Sequence, residues 1–498
     1  MPTDSVRLHA VFDLAMRIGE GLLTNGAAAS EVTATVLRVT SSSGLRNVSV
    51  QVTFDEVTIS YLPDELGTPF TRVRSVGARV QDFARLAAYE DVSHQYLSGE
   101  LPLEEARHRA ASIPQAPPRY RLPLVVGGFA VMGGAAALSF GAGALVVLAA
   151  TLSAALLIAL SEALARRNIP PFYAQALGGF VAVGGAVIVA LIDPSQNPSI
   201  VVVSCIIVQL AGLSSISAVQ DAVTGWYVTA AGRILEALML TVGLVAGVRG
   251  GLLLADVLGA DISVTAAMPV TLTTVLAVIV AGLGMGLGYG VGTQVPGRLL
   301  LAGSLVAAGS GVIAHVLSGL LLDRSFAAGV AAFVTGLVAT ALGDRLRAPA
   351  LAFVMCGVIP LVPGSRIYRG LLGLDDEITV GLSELMGAVE IAVAIAAGVV
   401  LGQLLSSRIM PYFRRSGIAY TPAISTPFTT LRRRRLSLGS RRQRRRRGTA
   451  IVEPSTMTEE MTALSPAMFE DTDLLEILEP PADLEDTSGR RPDPEETP

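Results

Sequence analysis

The sequence predicts a polytopic α-helical membrane protein: about ten transmembrane helices as two five-helix inverted repeats, preceded by a small α/β cytoplasmic domain. Three observations lead there. Apolar, glycine-studded segments follow one another from Leu122 to Leu405, each about as long as a bilayer core requires. Hydrophobic residues make up 51% of the 498 and charged residues 16%, and the mean hydropathy is +0.57, values foreign to an ordinary soluble chain. Two distant stretches of the apolar part also resemble each other, as set out below.

A soluble core of this size would need amphipathic helices, whereas Leu145 to Leu160 and Val270 to Leu287 are apolar all round. Composition divides the chain into a soluble α/β N-terminal domain (1–120), a first five-span half (121–260), a second five-span half (261–407) and a disordered tail (408–498), basic and then acidic. Met1 to Ala10 contains Asp4 and Arg7 and no long apolar run, so no signal peptide is expected. Cys205 and Cys356 both fall in apolar segments, where they read as small buried hydrophobes rather than as a disulfide, redox or metal pair. Neither a cofactor nor a metal is expected.

Hydropathy places the spans near 122–140, 143–163, 173–192, 199–219, 228–254, 268–291, 298–321, 325–343, 349–371 and 381–406. An even number returns both termini to one side. Loops on that side carry Arg119, Arg121, Arg166, Arg167, Arg233, Arg298, Arg345, Arg347 and Arg408, against Arg249, Arg324, Arg366 and Arg369 opposite. The positive-inside bias therefore predicts a multi-pass protein of the plasma membrane with both termini in the cytoplasm.

In the N-terminal part, a helical pattern from Val6 to Ser42 buries Val11, Leu14, Ala15, Ile18, Leu22 and Leu23, with a break or kink at Gly26. Period-two patterns at Val48 to Phe54 and Val57 to Tyr61 predict two strands. Helices are predicted over Val76 to Leu97 and Leu103 to Ile113, the second opened by Pro102 and Glu104.

The internal similarity aligns LAGLSSISAVQDAVTGWYVTAAG from Leu210 with LVPGSRIYRGLLGLDDEITVGLSE from Leu361. An odd number of spans between the copies reverses their orientation, as an inverted repeat requires. GLLTNGAAASEV in the first helical region, AVQDAVTGWYVTAAGRILEA after the fourth span and IPLVPGSRIYRGLLG in the ninth together resemble the threonine/serine exporter family of bacterial membrane proteins. The resemblance runs from Phe12 to Leu405. It implies a hydrophilic N-terminal domain, two five-span halves, and export of threonine and serine driven by the proton motive force. Where the family's first-half motif often has Pro-Gly, this chain has Ala211-Gly212, so a softer first helix break is expected than at Pro363-Gly364.

Without the family, the same residues suit a carrier. Pro360 and Pro363 cannot donate backbone hydrogen bonds, so the ninth segment is expected to break and offer free carbonyls and amides to a zwitterion. The plainer alternative is a helix that ends at its loop. Candidate substrate-binding residues are Gly212, Ser214, Ser215, Ser217, Pro363, Gly364, Ser365 and Tyr368. Proton-coupling candidates are Glu390, Glu236, Glu384 and His315, because a titratable group inside a span needs a use or a partner. Glu390 lies deepest and is the preferred carrier of the proton; Glu236 could instead pair with Arg233 one helical turn away. Asp221 and Arg233 flank the loop between the fourth and fifth spans as candidate gating residues.

Several patterns are set aside. The run GLGMGLGYGVG from Gly282 has no preceding strand for a phosphate loop and lacks the Thr-Val of a potassium filter, so close helix packing explains it better. Ser41 to Ser43, Asp55, Glu56, His94 and His108 form no catalytic or metal-ligand motif, and a non-enzyme is expected. The alternatives retained are a carrier of another small polar metabolite and a membrane-anchored hydrolase or sensor using the N-terminal domain. The polybasic block at Arg432–Arg435, Arg441, Arg442 and Arg444–Arg447 suits anionic lipid headgroups rather than a specific nucleic acid. The expected partners are thus a small amino acid, protons and lipid headgroups, with a homo-oligomer compatible with the pattern.

Overall fold

The first helix, α1 (Pro2–Thr24), turns into α2 (Ala29–Ser42) at Gly26, whose φ of +98° favours glycine and ends α1 where the sequence predicts. The computed structural model describes residues 2–409 except 46, 64–67, 78, 212–214, 258, 260–271 and 321–322; at 2–4, 211, 215–216, 272, 374–376 and 408–409 only the backbone is described. The described residues belong to one compact unit, Met1–Glu453. The tail and its expected lipid contacts lie outside them.

Three strands follow, β1 (Val48–Val52), β2 (Glu56–Tyr61) and β3 (Phe70–Ser75), antiparallel in the order β1-β2-β3. Val50 pairs with Ile59, and Thr58 with Val73. The sequence predicts only the first two. β3 is an edge strand with no residue fully buried, and its Thr-Arg-Val-Arg composition carries no apolar alternation. Helix α3 (Phe83–Ser98) starts later than expected because Asp82 caps it, accepting a hydrogen bond from Arg85 N at 3.0 Å. Helix α4 (Leu103–Ser112) matches its prediction. All six apolar positions named on α1 are buried, and Leu14, Ala15, Ile18, Leu22 and Leu23 share a core with Val32, Val57 and Ile59.

The apolar part forms helices throughout its described length: α5 (Leu122–Ser139), α6 (Ala144–Ala165), α7 (Pro171–Ile192), α8 (Ser199–Ala211), α9 (Ser215–Val223), α10 (Tyr227–Val257), α11 (Leu272–Gly292), α12 (Gly297–Gly319), α13 (Arg324–Leu346), α14 (Ala350–Val358), α15 (Gly364–Asp376) and α16 (Ile378–Ile409). Among the described residues, 8 helices are long and apolar enough to cross a membrane, so this is a polytopic helical membrane protein. The helix pair flanking Pro363 is bent by 46°, as expected where two prolines interrupt the hydrogen-bond ladder. The expected fourth span covers α8 and α9, and the residues between them, 212–214, lie outside the described ones.

The glycine run from Gly282 is continuous helix within α11. A Cβ on Gly128 of α5 would stand 2.7 Å from the Gly288 carbonyl oxygen, so the two backbones touch there. The run is a packing surface.

Candidate functional site

A cavity of about 390 Å³ lies at the break between α14 and α15. Pro360, Leu361, Val362, Pro363 and Ser365 form one wall, and Val278, Gly282 and Met285 of α11 form another. His315 and Ser318 of α12, Arg324 of α13, Asn197 and Ser199 at the head of α8, and Arg366 and Arg369 of α15 complete the lining. Helix α12 begins beside Tyr120 at Gly297 and reaches the cavity at His315, 18 residues later, a rise of roughly 27 Å. The cavity therefore sits toward the end of the bundle remote from the N-terminal elements.

Of the sequence-predicted residues, Pro363, Ser365 and His315 line this cavity. Gly364 instead faces α8, where a Cβ would meet Ile207 at 2.7 Å. Tyr368 is fully buried, its hydroxyl facing Ser199. Ser217 is buried in α9 outside the cavity lining. Gly212, Ser214 and the side chain of Ser215 lie outside the described residues.

Among the candidate proton carriers, Glu384 stands just behind the cavity wall, accepting hydrogen bonds from Arg369 Nε at 3.1 Å and Nη2 at 3.4 Å. His315 Nε2 approaches Thr274 Oγ1 at 3.4 Å. Glu390 is exposed on the outer face of α16 beside Met386, Val389 and Val393, away from the cavity. Glu236 meets Arg79 at 3.7 Å rather than the Arg233 of its own helix.

Arg233 is occupied elsewhere. Its Nη1 lies 2.9 Å from Asp221 Oδ2, with both side chains buried. Asp221 Oδ1 accepts a hydrogen bond from Ala29 N at 2.9 Å, and Arg233 Nη2 donates to the Ala27 carbonyl at 3.0 Å. The two predicted gating residues are thus brought together, and the turn between α1 and α2 is docked onto them. Thr229 Oγ1 donates to the Val52 carbonyl at 2.9 Å, and Arg79 lies over the Phe54 ring, 4.2 Å from its centroid, and donates to the Phe54 carbonyl. On the other side, Tyr289 of α11 donates to Gln81 Oε1 at 3.0 Å, and Phe83 N to the Thr293 carbonyl at 3.0 Å. The N-terminal elements therefore bridge α9 and α10 to α11.

Behind the docked turn, burial raises the Glu31 carboxyl to about 7, with Arg38 pulling it down and Asp221 pushing it further up. Burial also holds Glu90 well above the usual carboxylate range, and Glu31 adds to that rise.

Sequence reasoning missed Arg324, Arg366 and Arg369 as site residues, treating them as loop charges. The available signal was the pair Arg366 and Arg369 one turn apart, directly after the Pro-Gly break. It also missed Glu31 and Glu90, which sit in the N-terminal region with no local pattern.

The family model for the threonine/serine exporter ThrE matches residues 13–255. A second model, "Threonine/Serine exporter, ThrE", matches residues 274–405. A threonine/serine exporter of Corynebacterium glutamicum is 34% identical over 261 residues, 51% of this chain and 53% of the relative. A "Probable threonine/serine exporter" of Mycobacterium tuberculosis is 30% identical over 245 residues, 49% of this chain and 46% of the relative. The chain thus matches these curated relatives over about half of their length. No solved structure matches. The two consecutive family matches, which between them contain the docked turn, the Asp221–Arg233 pair and the Pro363 break, show that this chain belongs to the threonine/serine exporter family.

Proposed function

We propose that the chain is a secondary exporter of small hydroxylated amino acids, threonine and serine, driven by the proton motive force. The observation that carries the reading is the cavity at the α14–α15 break, where Pro363 interrupts the helix and Ser365 joins the lining. A broken helix leaves polar backbone groups for a zwitterion, and hydroxyls such as Ser199, Ser318 and Ser365 suit a hydroxylated side chain.

In this reading α8 with α9, and the bent pair α14 with α15, are equivalent spans of two inverted five-span halves, completing ten spans. The arginine bias supports a cytoplasmic position for the N-terminal elements, in which the cavity faces outward and the docked α1–α2 turn closes the cytoplasmic side. Residues 1–120 act as that closure, and the basic tail rests on anionic headgroups. Among the titratable candidates, Glu384 and His315 stand at the cavity and take the proton-coupling role. Glu390 and Glu236 do not.

The test is efflux of labelled threonine and serine from preloaded proteoliposomes under an imposed pH gradient. Gradient-stimulated efflux is expected in the wild type and in Glu390→Gln, and its loss in Glu384→Gln or His315→Gln. Correctly inserted wild-type protein that moves neither amino acid would sink the exporter reading.

A further inference from the structure

Positive charge surrounds the cavity at the helix break. Its ionisable lining residues are Arg324, Arg366, Arg369 and His315, with no carboxylate among the described residues. Guanidinium groups gathered around one cavity repel one another, and partly buried ones resist desolvation, so such a gathering favours a negative partner. Glu384 is one such partner. It is committed to Arg369 through two hydrogen bonds, and it reaches Arg366 Nε only at 3.9 Å. Arg366 Nε is buried and has no hydrogen-bond partner among the described residues. Asp323 also lies near Arg366, but it caps α13 by accepting from Ser325 N at 2.8 Å. Among the described residues, three guanidiniums stand against two carboxylates, which leaves one positive charge unmatched.

The surroundings admit a small anion. The N-terminus of α15 starts at the cavity wall and adds a dipole of the same sign. A volume of about 390 Å³ accommodates a small zwitterion with a few waters. Gly387 of α16 makes room for Arg366, since a Cβ there would collide with Arg366 Nη1. The obstructing atom is the end of a flexible side chain, so an alanine at this position would displace the guanidinium rather than break the helix contact.

We propose that Arg366, with Arg324 beside it, is the carboxylate-recognition element of this cavity, taking the α-carboxylate of the amino acid by charge-assisted hydrogen bonds while Glu384 holds Arg369 in the wall. The proposal rests on the exporter reading for the identity of the amino acid. A planar guanidinium matches a carboxylate through parallel hydrogen bonds, which an ammonium cannot reproduce. Gly387 is a positioning residue for Arg366.

The experiment compares threonine with threoninamide, which keeps the side chain and the amino group but lacks the carboxylate. Each is applied to the external face of proteoliposomes in counterflow, and each is tested for thermal stabilisation of the full chain in detergent. In the wild type, threonine is expected to exchange and to stabilise, and threoninamide to do neither. Arg366→Gln and Gly387→Ala should each raise the half-saturating threonine concentration about tenfold or more, and Arg366→Lys should recover part of the loss. Exchange with unchanged half-saturation in both Arg366→Gln and Gly387→Ala overturns the proposal while leaving the exporter reading intact. Equal action of threoninamide on the wild type overturns it as well. Stabilisation by threonine that depends on Arg366, without exchange, upholds the site and defeats the exporter reading. If threonine neither exchanges nor stabilises, both fall.

Discussion

Asp221 and Arg233 form a buried ion pair at 2.9 Å, and each makes one hydrogen bond to the α1–α2 turn, Asp221 with Ala29 N and Arg233 with the Ala27 carbonyl. One carboxylate thus binds both Arg233 of α10 and a segment that precedes it by 192 residues. A buried pair is weak grounds for stability by itself, because desolvation offsets the Coulomb attraction, but breaking it strands a charge.

Asp221→Ala is therefore expected to destabilise the protein by about 3–5 kcal/mol and to loosen the turn at Asn25 to Ala29. Thermal unfolding gives the first quantity and amide hydrogen exchange over that turn the second. The double variant Asp221→Ala, Arg233→Met should recover part of the loss, because no charge is left stranded. Unchanged exchange at the turn in Asp221→Ala would show that the contact does not hold it.

The N-terminal elements are expected to lose stability as pH rises. The Glu31 carboxyl titrates at about 7 in the folded protein against 4.5 as a free group. The folded state then binds more protons than the unfolded state between these values, so stability is fully present below about 4.5 and falls as pH rises through about 7. Glu90, shifted in the same direction, extends the loss upward. Glu31→Gln should flatten the dependence of the melting temperature over pH 4.5 to 7. A slope equal to that of the wild type would assign the dependence to other groups.

Two adjacent glycines of α5 should respond in opposite ways. A Cβ at Gly128 meets the Gly288 carbonyl at 2.7 Å, whereas one at Gly127 meets nothing within 4 Å. Gly128→Leu should force α5 away from α11 at a cost of about 1–3 kcal/mol or more, and Gly127→Leu should be tolerated. Thermal stability of the two variants in detergent checks this. Equal stability would remove the packing role of the contact.

Glu390→Gln should leave both stability and efflux close to wild type, since this carboxylate is exposed on α16 and reaches no group of the cavity. The same efflux assay decides it, and loss of gradient-driven transport in this variant would return the proton to Glu390.

The helical membrane class, the run of spans and the breaks at Gly26 and Pro363 were legible in the sequence. These depend on local quantities: hydropathy over about 20 residues, a glycine able to take positive φ, and prolines that cannot donate. Strand β3 was not legible, because Thr71, Arg72 and Arg74 interrupt the apolar alternation that marks β1 and β2. The site was legible only in part. Pro363, Ser365 and His315 belong to the cavity, but depth within the predicted span favoured Glu390, and helical spacing allowed an Arg233–Glu236 pair. Only the tertiary structure gave Arg233 to Asp221, Glu236 to Arg79 and Arg369 to Glu384. Hydropathy records how much a segment resists water and leaves open which way each side chain points around its helix. For a charge inside a membrane protein that direction decides everything, because the cost of burial is offset only by the group it faces.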